Sequence, residues 1–240
     1  MKILRLSLAL PALVLLLAGC NINKNITVPA HAHWSSGSST INGEITVGPG
    51  AVVNGELRTI NGKISVAAGA QTGKLATING GITQADAVHS GELAAINGGI
   101  SLGKNADVTG DVATVNGDIH AASGVHIGGT VRDVNGNIAL CGAQVDGGLS
   151  FYNGTALLAD GTVMQGNVTV KKTNGTEPSN HEPRLIVGPY TTVTGTIAFE
   201  RPGKLYVSDR AVIHGVTGAT AVKFSGVAPA GVRIPMCPPN

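Results

Sequence analysis

The chain has 240 residues, and its 16 Lys and Arg against 14 Asp and Glu give a formal net charge of +2. Three Phe, three Tyr and one Trp are its only aromatic residues, while 35 residues are Gly. This balance offers neither a basic field for phosphates nor aromatic platforms for stacked bases, which excludes nucleic acid as a partner. Its apolar content is mostly Val, Ile, Leu and Ala, and with so much Gly it favours many short strands joined by tight turns.

The first 20 residues resemble the export signal of bacterial lipoproteins. Lys2 and Arg5 form a short basic start, residues 6–17 are an apolar run too short to span a membrane, and Leu17-Ala18-Gly19-Cys20 resembles a lipobox. The resemblance implies that 1–19 is a signal peptide removed before Cys20, whose thiol carries diacylglycerol and whose new amine is acylated. The alternative is an ordinary cleavable signal in which Cys20 is incidental.

The same resemblance implies a location. Asn21 follows Cys20, and in bacteria that sort lipoproteins by this residue Asn favours the outer membrane. We therefore expect a lipid-anchored protein of the bacterial cell envelope. Removal of Lys2 and Arg5 leaves 14 basic and 14 acidic side chains, and a net charge near zero permits self-association.

The segment after the cysteine ends in a stretch rich in Ser. Residues 20–39 end in Ser35-Ser36-Gly37-Ser38-Ser39. This composition predicts a flexible tether that holds the folded part of the chain off the bilayer.

An Asn-Gly pair then recurs seven times, each time behind an apolar or aromatic residue. Its Asn residues are Asn42, Asn61, Asn79, Asn97, Asn116, Asn135 and Asn153, at steps of 18 or 19 residues. This period is too short for pairs of helices and suits one turn of a β-solenoid. The repeat predicts an all-β, single-domain parallel β-helix with three-sided coils of 18–19 residues, regular over residues 40–172, and a corner ladder formed by these Asn.

Alternation along the strands predicts which side chains face the interior. In the first repeat it puts Ile41, Ile45 and Val47 inside, and it puts Thr40 and the Asn outside. In each coil, the aliphatic residue of a Gly-x-aliphatic element, such as Leu57, also points inward. The Gly after each Asn provides either a positive φ or room for close backbone approach.

Residues 173–184 are polar and contain Pro, which predicts a loop expelled from the solenoid. Further, irregular coils are expected over 185–217. Residues 218–240 are expected either to cap the solenoid or to pack along its last coils.

The charged residues show no convergent cluster of the kind that lyases and hydrolases need, so no catalytic residue, metal site or cofactor is predicted. His31 and His33 form a His-x-His pair without a third ligand, and His89 and His126 are expected to be exposed turn residues. Cys141 and Cys237 remain after lipidation of Cys20. In an oxidising compartment they invite a disulfide, although the sequence does not give their separation in space.

The repeated aliphatic coils and the Gly-x-Leu endings over about residues 40–216 resemble the bactofilins, bacterial scaffold proteins that polymerise end to end. The resemblance implies a non-enzymatic envelope scaffold that assembles through its β-helix ends into a homo-oligomer or polymer. Its other partner is the membrane, through the N-terminal lipid. The alternatives are an adhesin or carbohydrate-binding module that contacts envelope glycan and, least favoured, a polysaccharide-processing enzyme.

Overall fold

A computed structural model describes residues 20–172 and 182–237. The predicted signal peptide at 1–19 and most of the predicted loop at 173–184 lie outside the described residues. The described chain is built from β-strands of two to eight residues.

The strands of the N-terminal half come in groups of three, one group to a turn, and from the third group onward their lengths are five, three and two residues. They are β1 (Cys20–Asn21), β2 (Ile26–Val28), β3 (His33–Trp34), β4 (Ser38–Thr40), β5 (Ile45–Val47), β6 (Val52–Val53), β7 (Leu57–Asn61), β8 (Ile64–Val66), β9 (Gln71–Thr72), β10 (Leu75–Asn79), β11 (Ile82–Gln84), β12 (His89–Ser90), β13 (Leu93–Asn97), β14 (Ile100–Leu102) and β15 (Asp107–Val108).

The C-terminal half continues this order and ends in longer strands. They are β16 (Val112–Asn116), β17 (Ile119–Ala121), β18 (His126–Ile127), β19 (Val131–Asn135), β20 (Ile138–Cys141), β21 (Gln144–Val145), β22 (Leu149–Asn153), β23 (Thr155–Ala159), β24 (Val163–Met164), β25 (Val168–Val170), β26 (Arg184–Val187), β27 (Thr192–Phe199), β28 (Lys204–Ser208), β29 (Val212–Thr217) and β30 (Ala221–Phe224).

These strands stack into three parallel faces of a β-solenoid of about ten turns. Face A holds every third strand from β1 to β25 and the C-terminal parts of β27 and β29. Face B runs from β2 to β23 in the same way and then through β26, β28 and β30. Face C runs from β3 to β24 and then through the N-terminal parts of β27 and β29. The predicted fold class is confirmed.

The Asn repeat sets the register of the turns. Asn61, Asn79, Asn97 and the later Asn residues are direct partners on successive strands of face A. The same register stacks one aliphatic column inside face B at 0–1% exposure: Ile45, Ile64, Ile82, Ile100, Ile119 and Ile138. Burying each such side chain contributes about 1.5 to 3 kcal/mol, so interior columns of this kind supply the main favourable free energy of folding.

The predicted orientation of two columns on face A is wrong. Thr40, Thr59 and Thr77 are buried at 1%, 0% and 3% exposure, whereas Ile60 and Ile78 are only half-buried and face outward. Strand β7 keeps strict alternation from Leu57, which points inward, so Thr59 must point inward as well. The prediction assumes that alternation continues through the Asn-Gly corner. At that corner the chain passes from one face to the next, and the parity of the inward positions changes.

The predicted tether at residues 20–39 is also wrong, because these residues form the first turn of the solenoid. Ile26 and Val28 are buried at 6% and 0% exposure, and β2 pairs in parallel with β5. The reason is visible in the sequence. Residues 23–28, Asn-Lys-Asn-Ile-Thr-Val, align with residues 42–47, Asn-Gly-Glu-Ile-Thr-Val, at the same 19-residue step but lack the Gly after Asn.

Close approach, not a positive φ, explains the Gly after most of these Asn. A Cβ on Gly62, Gly80 or Gly98 would overlap the carbonyl oxygen of the equivalent residue one turn before. Of this column, Gly154 alone has a positive φ among the described residues, at 89°.

A different corner, between faces B and C, requires the left-handed backbone conformation. Its residues have φ between 54° and 75°: His31, Gly50, Gly69, Ala87, Asn105, Gly124 and Gly142. Among these residues of the first seven turns, Ala87 alone has a Cβ and no polar side chain that could bond locally. The left-handed conformation costs an L-residue roughly 1 to 2 kcal/mol, so Ala87 carries strain.

The C-terminal residues extend the solenoid and then run along its side. Strand β30 pairs with β28, and the following residues pack Val232 and Ile234 against Leu157 and Ile186 on the outer surface of face B. Of the two predicted placements for residues 218–240, the described part takes the one along the final coils.

We expect Ala87→Gly to stabilise the protein and Gly69→Ala to destabilise it, each by about 0.5 to 1 kcal/mol. The first change relieves backbone strain, partly offset by the greater freedom of Gly in the unfolded chain, and the second introduces strain. A Cβ on Gly69 would have no atom within 4 Å, so the second effect is not a packing clash. Urea denaturation midpoints measure both, and shifts of the same sign in the two variants would contradict this assignment.

Candidate functional surfaces

A continuous ladder of asparagine side chains runs along the edge of face A. Each amide nitrogen donates to the amide oxygen of the Asn one turn before it, at 2.6–3.0 Å. The members are Asn23, Asn42, Asn61, Asn79, Asn97, Asn116, Asn135 and Asn153. The sequence predicted all of these except Asn23, and at the far end Arg201 Nη1 donates to Asn153 Oδ1 at 3.3 Å.

Beside the ladder, face A presents a flat apolar strip, and its aliphatic column that begins with Ile41 was predicted to face the interior. We call the strip the face A ridge. It consists of the half-buried, outward residues Ile41, Ile60, Ile78, Ile96, Val115, Val134 and Tyr152, with the adjoining Ala76, Ala94 and Ala113. Ion pairs border it on the side away from the ladder, with Lys74 Nζ 3.1 Å from Glu92 and Arg132 Nη1 2.6 Å from Asp111.

The buried Thr column on the inner side of face A stabilises the Asn-Gly corner. Thr59 Oγ1 donates to the Gly43 carbonyl at 2.8 Å, and Thr114 Oγ1 donates to the Gly98 carbonyl at 3.0 Å. These corner carbonyls lie away from bulk water, so the hydroxyl satisfies an acceptor that would otherwise be costly to bury.

Asp133 occupies the next position of this column and is 1% exposed. Neither of its carboxyl oxygens meets hydrogen-bond geometry with a described group. Burial raises the pKa of Asp133 to about 7, and the carboxylate of Asp118 acts in the same direction, while the backbone N–H groups of Val134 and Asn135 offset part of the shift. Protonated, Asp133 has a hydroxyl that can replace the Thr donor of the other turns.

We predict that the stability of the wild-type protein falls as the pH rises from about 4 to about 7. In that window the folded state keeps a proton on Asp133 that the unfolded state releases, so folding loses free energy as the pH increases, by a few kcal/mol in total. Asp133→Asn should remove this dependence, and Asp133→Thr should remove it and raise stability at pH 8. Urea midpoints at pH 5 and pH 8 measure this.

Thr114→Asp is the matched control, because it places the same carboxyl in the same column one turn earlier. It should add a second, similar loss of stability between the two pH values. An unchanged pH dependence in Asp133→Asn would contradict the role assigned to Asp133.

A chain of His and Asp side chains lies on the outer surface of face C. His126 Nδ1 is 2.7 Å from Asp107, and His126 Nε2 is 2.8 Å from Asp146. His89 Nδ1 is 3.3 Å from the other oxygen of Asp107. Carboxylates only accept, so both nitrogens of His126 must donate, and the ring is an imidazolium in this arrangement.

The pKa values follow from these contacts. Hydrogen bonds to Asp146 and then to Asp107 raise the pKa of His126. The hydrogen bond from His126 lowers the pKa of Asp107, and hydrogen bonds from Gln144 and then His126 lower that of Asp146. The sequence analysis predicted only that His89 and His126 are exposed, although His89, Asp107, His126 and Asp146 follow one another at steps of 18, 19 and 20 residues.

The free energy contributed by His126 should be complete below about pH 6.5 and lost as the pH rises through its raised pKa. The two carboxylates, whose pKa values are lowered, contribute above about pH 4 and lose their contribution as the pH falls. Because these side chains are partly exposed, the whole effect should be below about 1 kcal/mol and weaken with salt. NMR titration of His126 measures its pKa, which Asp146→Asn and Asp107→Asn should each lower; a pKa at or below 6.5 in the wild type would refute the network.

A disulfide joins Cys141, at the end of β20, to Cys237 in the C-terminal tail. It fixes the tail against the side of the solenoid, over the apolar patch of Leu157 and Ile186. In the chain-entropy account, closing a loop of 96 residues stabilises the folded state by about 4 to 5 kcal/mol. Asp160 lies beside the two sulfurs, but a disulfide offers no thiolate to a metal ion.

The remaining candidates of the sequence analysis are separate from one another. Cys20 lies in β1, whose partner strand is β4. His31 lies at a left-handed corner and His33 in β3, and neither belongs to a cluster of metal-ligating side chains within the described residues.

Comparisons with models of known families, with curated proteins and with solved structures find no match. Within residues 20–172 and 182–237, no helix is long and apolar enough to cross a bilayer.

Proposed function

We propose that this chain is a non-enzymatic, lipid-anchored scaffold of the bacterial cell envelope that stands upright on its membrane. The proposal is carried by the position of Cys20, the residue that the lipobox-like sequence marks for lipidation. Cys20 and Asn21 form β1, and the first turn follows without a linker. A lipid on Cys20 would therefore sit directly at one end of the solenoid.

The direction of the solenoid axis follows from this attachment. Each turn adds about 4.8 Å along the axis, so about ten turns give a rod roughly 50 Å long. A lipid at the first turn favours a rod that rises from the membrane and holds its C-terminal end farthest from it. The Asn ladder, the face A ridge and the His-Asp chain then run perpendicular to the bilayer.

Two features disfavour assembly through the ends, which the family resemblance implied. The N-terminal end would face the lipid surface. At the other end, Lys223 in β30 aligns with the buried Val207 and is exposed, so a charge lies where another copy would have to stack on the interior. Inward-pointing charges at the last strand are a known protection against edge pairing.

The test uses the full chain expressed in a bacterial host. Cys20→Ser should abolish the acylated N-terminus detected by mass spectrometry and release the protein from the membrane fraction, whereas Cys141→Ser should leave both unchanged. On a supported bilayer, neutron reflectometry should give a protein layer about 50 Å thick. Membrane retention of Cys20→Ser would refute the anchor, and a layer about half as thick or filaments in electron micrographs would refute the upright rod.

A further inference from the structure

The face A ridge is an apolar surface without a partner in the described chain. Its central residues are Ile60, Ile78, Ile96 and Val115, with Ala76 and Ala94 beside them, and all are partly exposed and outward. They form a flat strip because each turn repeats the previous one in register. We propose that this ridge is where two copies of the chain pair side by side, in parallel, on the same membrane.

Periodicity favours a second copy as the occupant. Two copies have the same spacing of about 4.8 Å between turns, so when one pair of turns interdigitates all the others do as well. The proposal rests on the proposed function in one respect: copies anchored through Cys20 in one leaflet have their equivalent turns at the same height. A twofold axis parallel to the solenoid axis then relates the two ridges.

Charge placement is compatible with this pairing. The twofold axis brings the ladder side of one ridge against the ion-pair side of the other. The ladder is neutral, and on the opposite border Lys74 pairs with Glu92 and Arg132 with Asp111 within one chain. Arg58 aligns with Ala76 on the same strip and belongs to none of the ion pairs of the described chain, so its guanidinium has to reach solvent at the rim for the two ridges to approach.

The size of the ridge sets the expected strength. Seven turns span about 29 Å, and with a width of about 12 Å the two copies would bury roughly 700 Å² in total. This is below the roughly 1,200 Å² of stable complexes, so pairing in dilute solution should be weak. Confinement to a membrane raises the effective concentration and makes pairing measurable there.

The experiment places a photo-crosslinking amino acid at Ile78, on the ridge, or at Thr83, which is outward and exposed on face B of the same turn. The lipidated chain is reconstituted in phosphatidylethanolamine–phosphatidylglycerol vesicles and irradiated. We expect at least about tenfold more crosslinked dimer from position 78, with the crosslinked peptide of the second copy mapping to its own ridge. Ala94→Lys should reduce this yield about tenfold, while Ser101→Lys on face B should not.

Equal yields from positions 78 and 83, crosslinks from position 78 to lipid, or an Ala94→Lys yield equal to wild type with unchanged thermal unfolding would overturn the proposal. The same crosslinking with Cys20→Ser at millimolar concentration separates the two proposals. Ridge dimers of Cys20→Ser, together with a wild-type protein that does not attach to the membrane, would retain the pairing surface and reject the anchor. Membrane attachment without ridge dimers in either format would do the reverse.

Discussion

The structure depends on each turn closing directly above the turn before it, at the contact between one corner Gly and the carbonyl of the previous one. Gly62, Gly80 and Gly98 have no room for a Cβ because that carbonyl lies in its place. A single larger residue would lift one corner, and the parallel hydrogen bonds and aliphatic columns of both neighbouring turns would lose their register. This explains why Asn-Gly recurs in seven consecutive turns, whereas the adjacent inner column varies between Thr59, Ala95, Asp133 and Phe151.

The interior is less uniform than the corners, since neighbouring turns stabilise each other locally. Thr72, Gln84 and Ser90 are inward residues in two consecutive turns, and their side-chain polar atoms have no hydrogen-bond partner among the described groups. Asp133 is a second such place three turns further along. In a solenoid, each defect affects chiefly its own turn and the two that contact it, so the aliphatic columns elsewhere can offset the cost. For the same reason, protonation of Asp133 alone changes the stability of the turn that contains it.

The sequence was sufficient for the fold class, for the 18- to 19-residue register and for seven members of the ladder, because the Asn-Gly repeat reports a steric requirement of seven consecutive turns. It failed where that repeat is absent or where the pattern changes parity. Residues 23–28 lack the Gly after Asn, so the repeat does not mark them as a turn, although their Ile-Thr-Val matches residues 45–47. The inward position of Thr59 contradicts an alternation drawn from Ile64 across the corner but agrees with one drawn from Leu57 along the strand. The position of the tail could not be derived, because it depends on the contact of Val232 and Ile234 with a patch assembled from distant turns.

The placement of the first turn changes how copies of such a rod can associate. With a flexible tether of about 20 residues, a solenoid could turn freely and present either end to another copy. With Cys20 inside the first turn, a lipid there would exclude one end from stacking, and Lys223 places a charge at the other. The sides of the rod are then the surfaces through which copies can associate. Face B is covered over its C-terminal turns by the disulfide-bonded tail, and face C carries the ionised His-Asp chain, whose desolvation would be costly. Face A combines an apolar strip with the neutral Asn ladder on one border and the ion pairs of Lys74 and Arg132 on the other, and Arg58 is a charge on it that would have to stay at the solvent-exposed rim when another surface covers it.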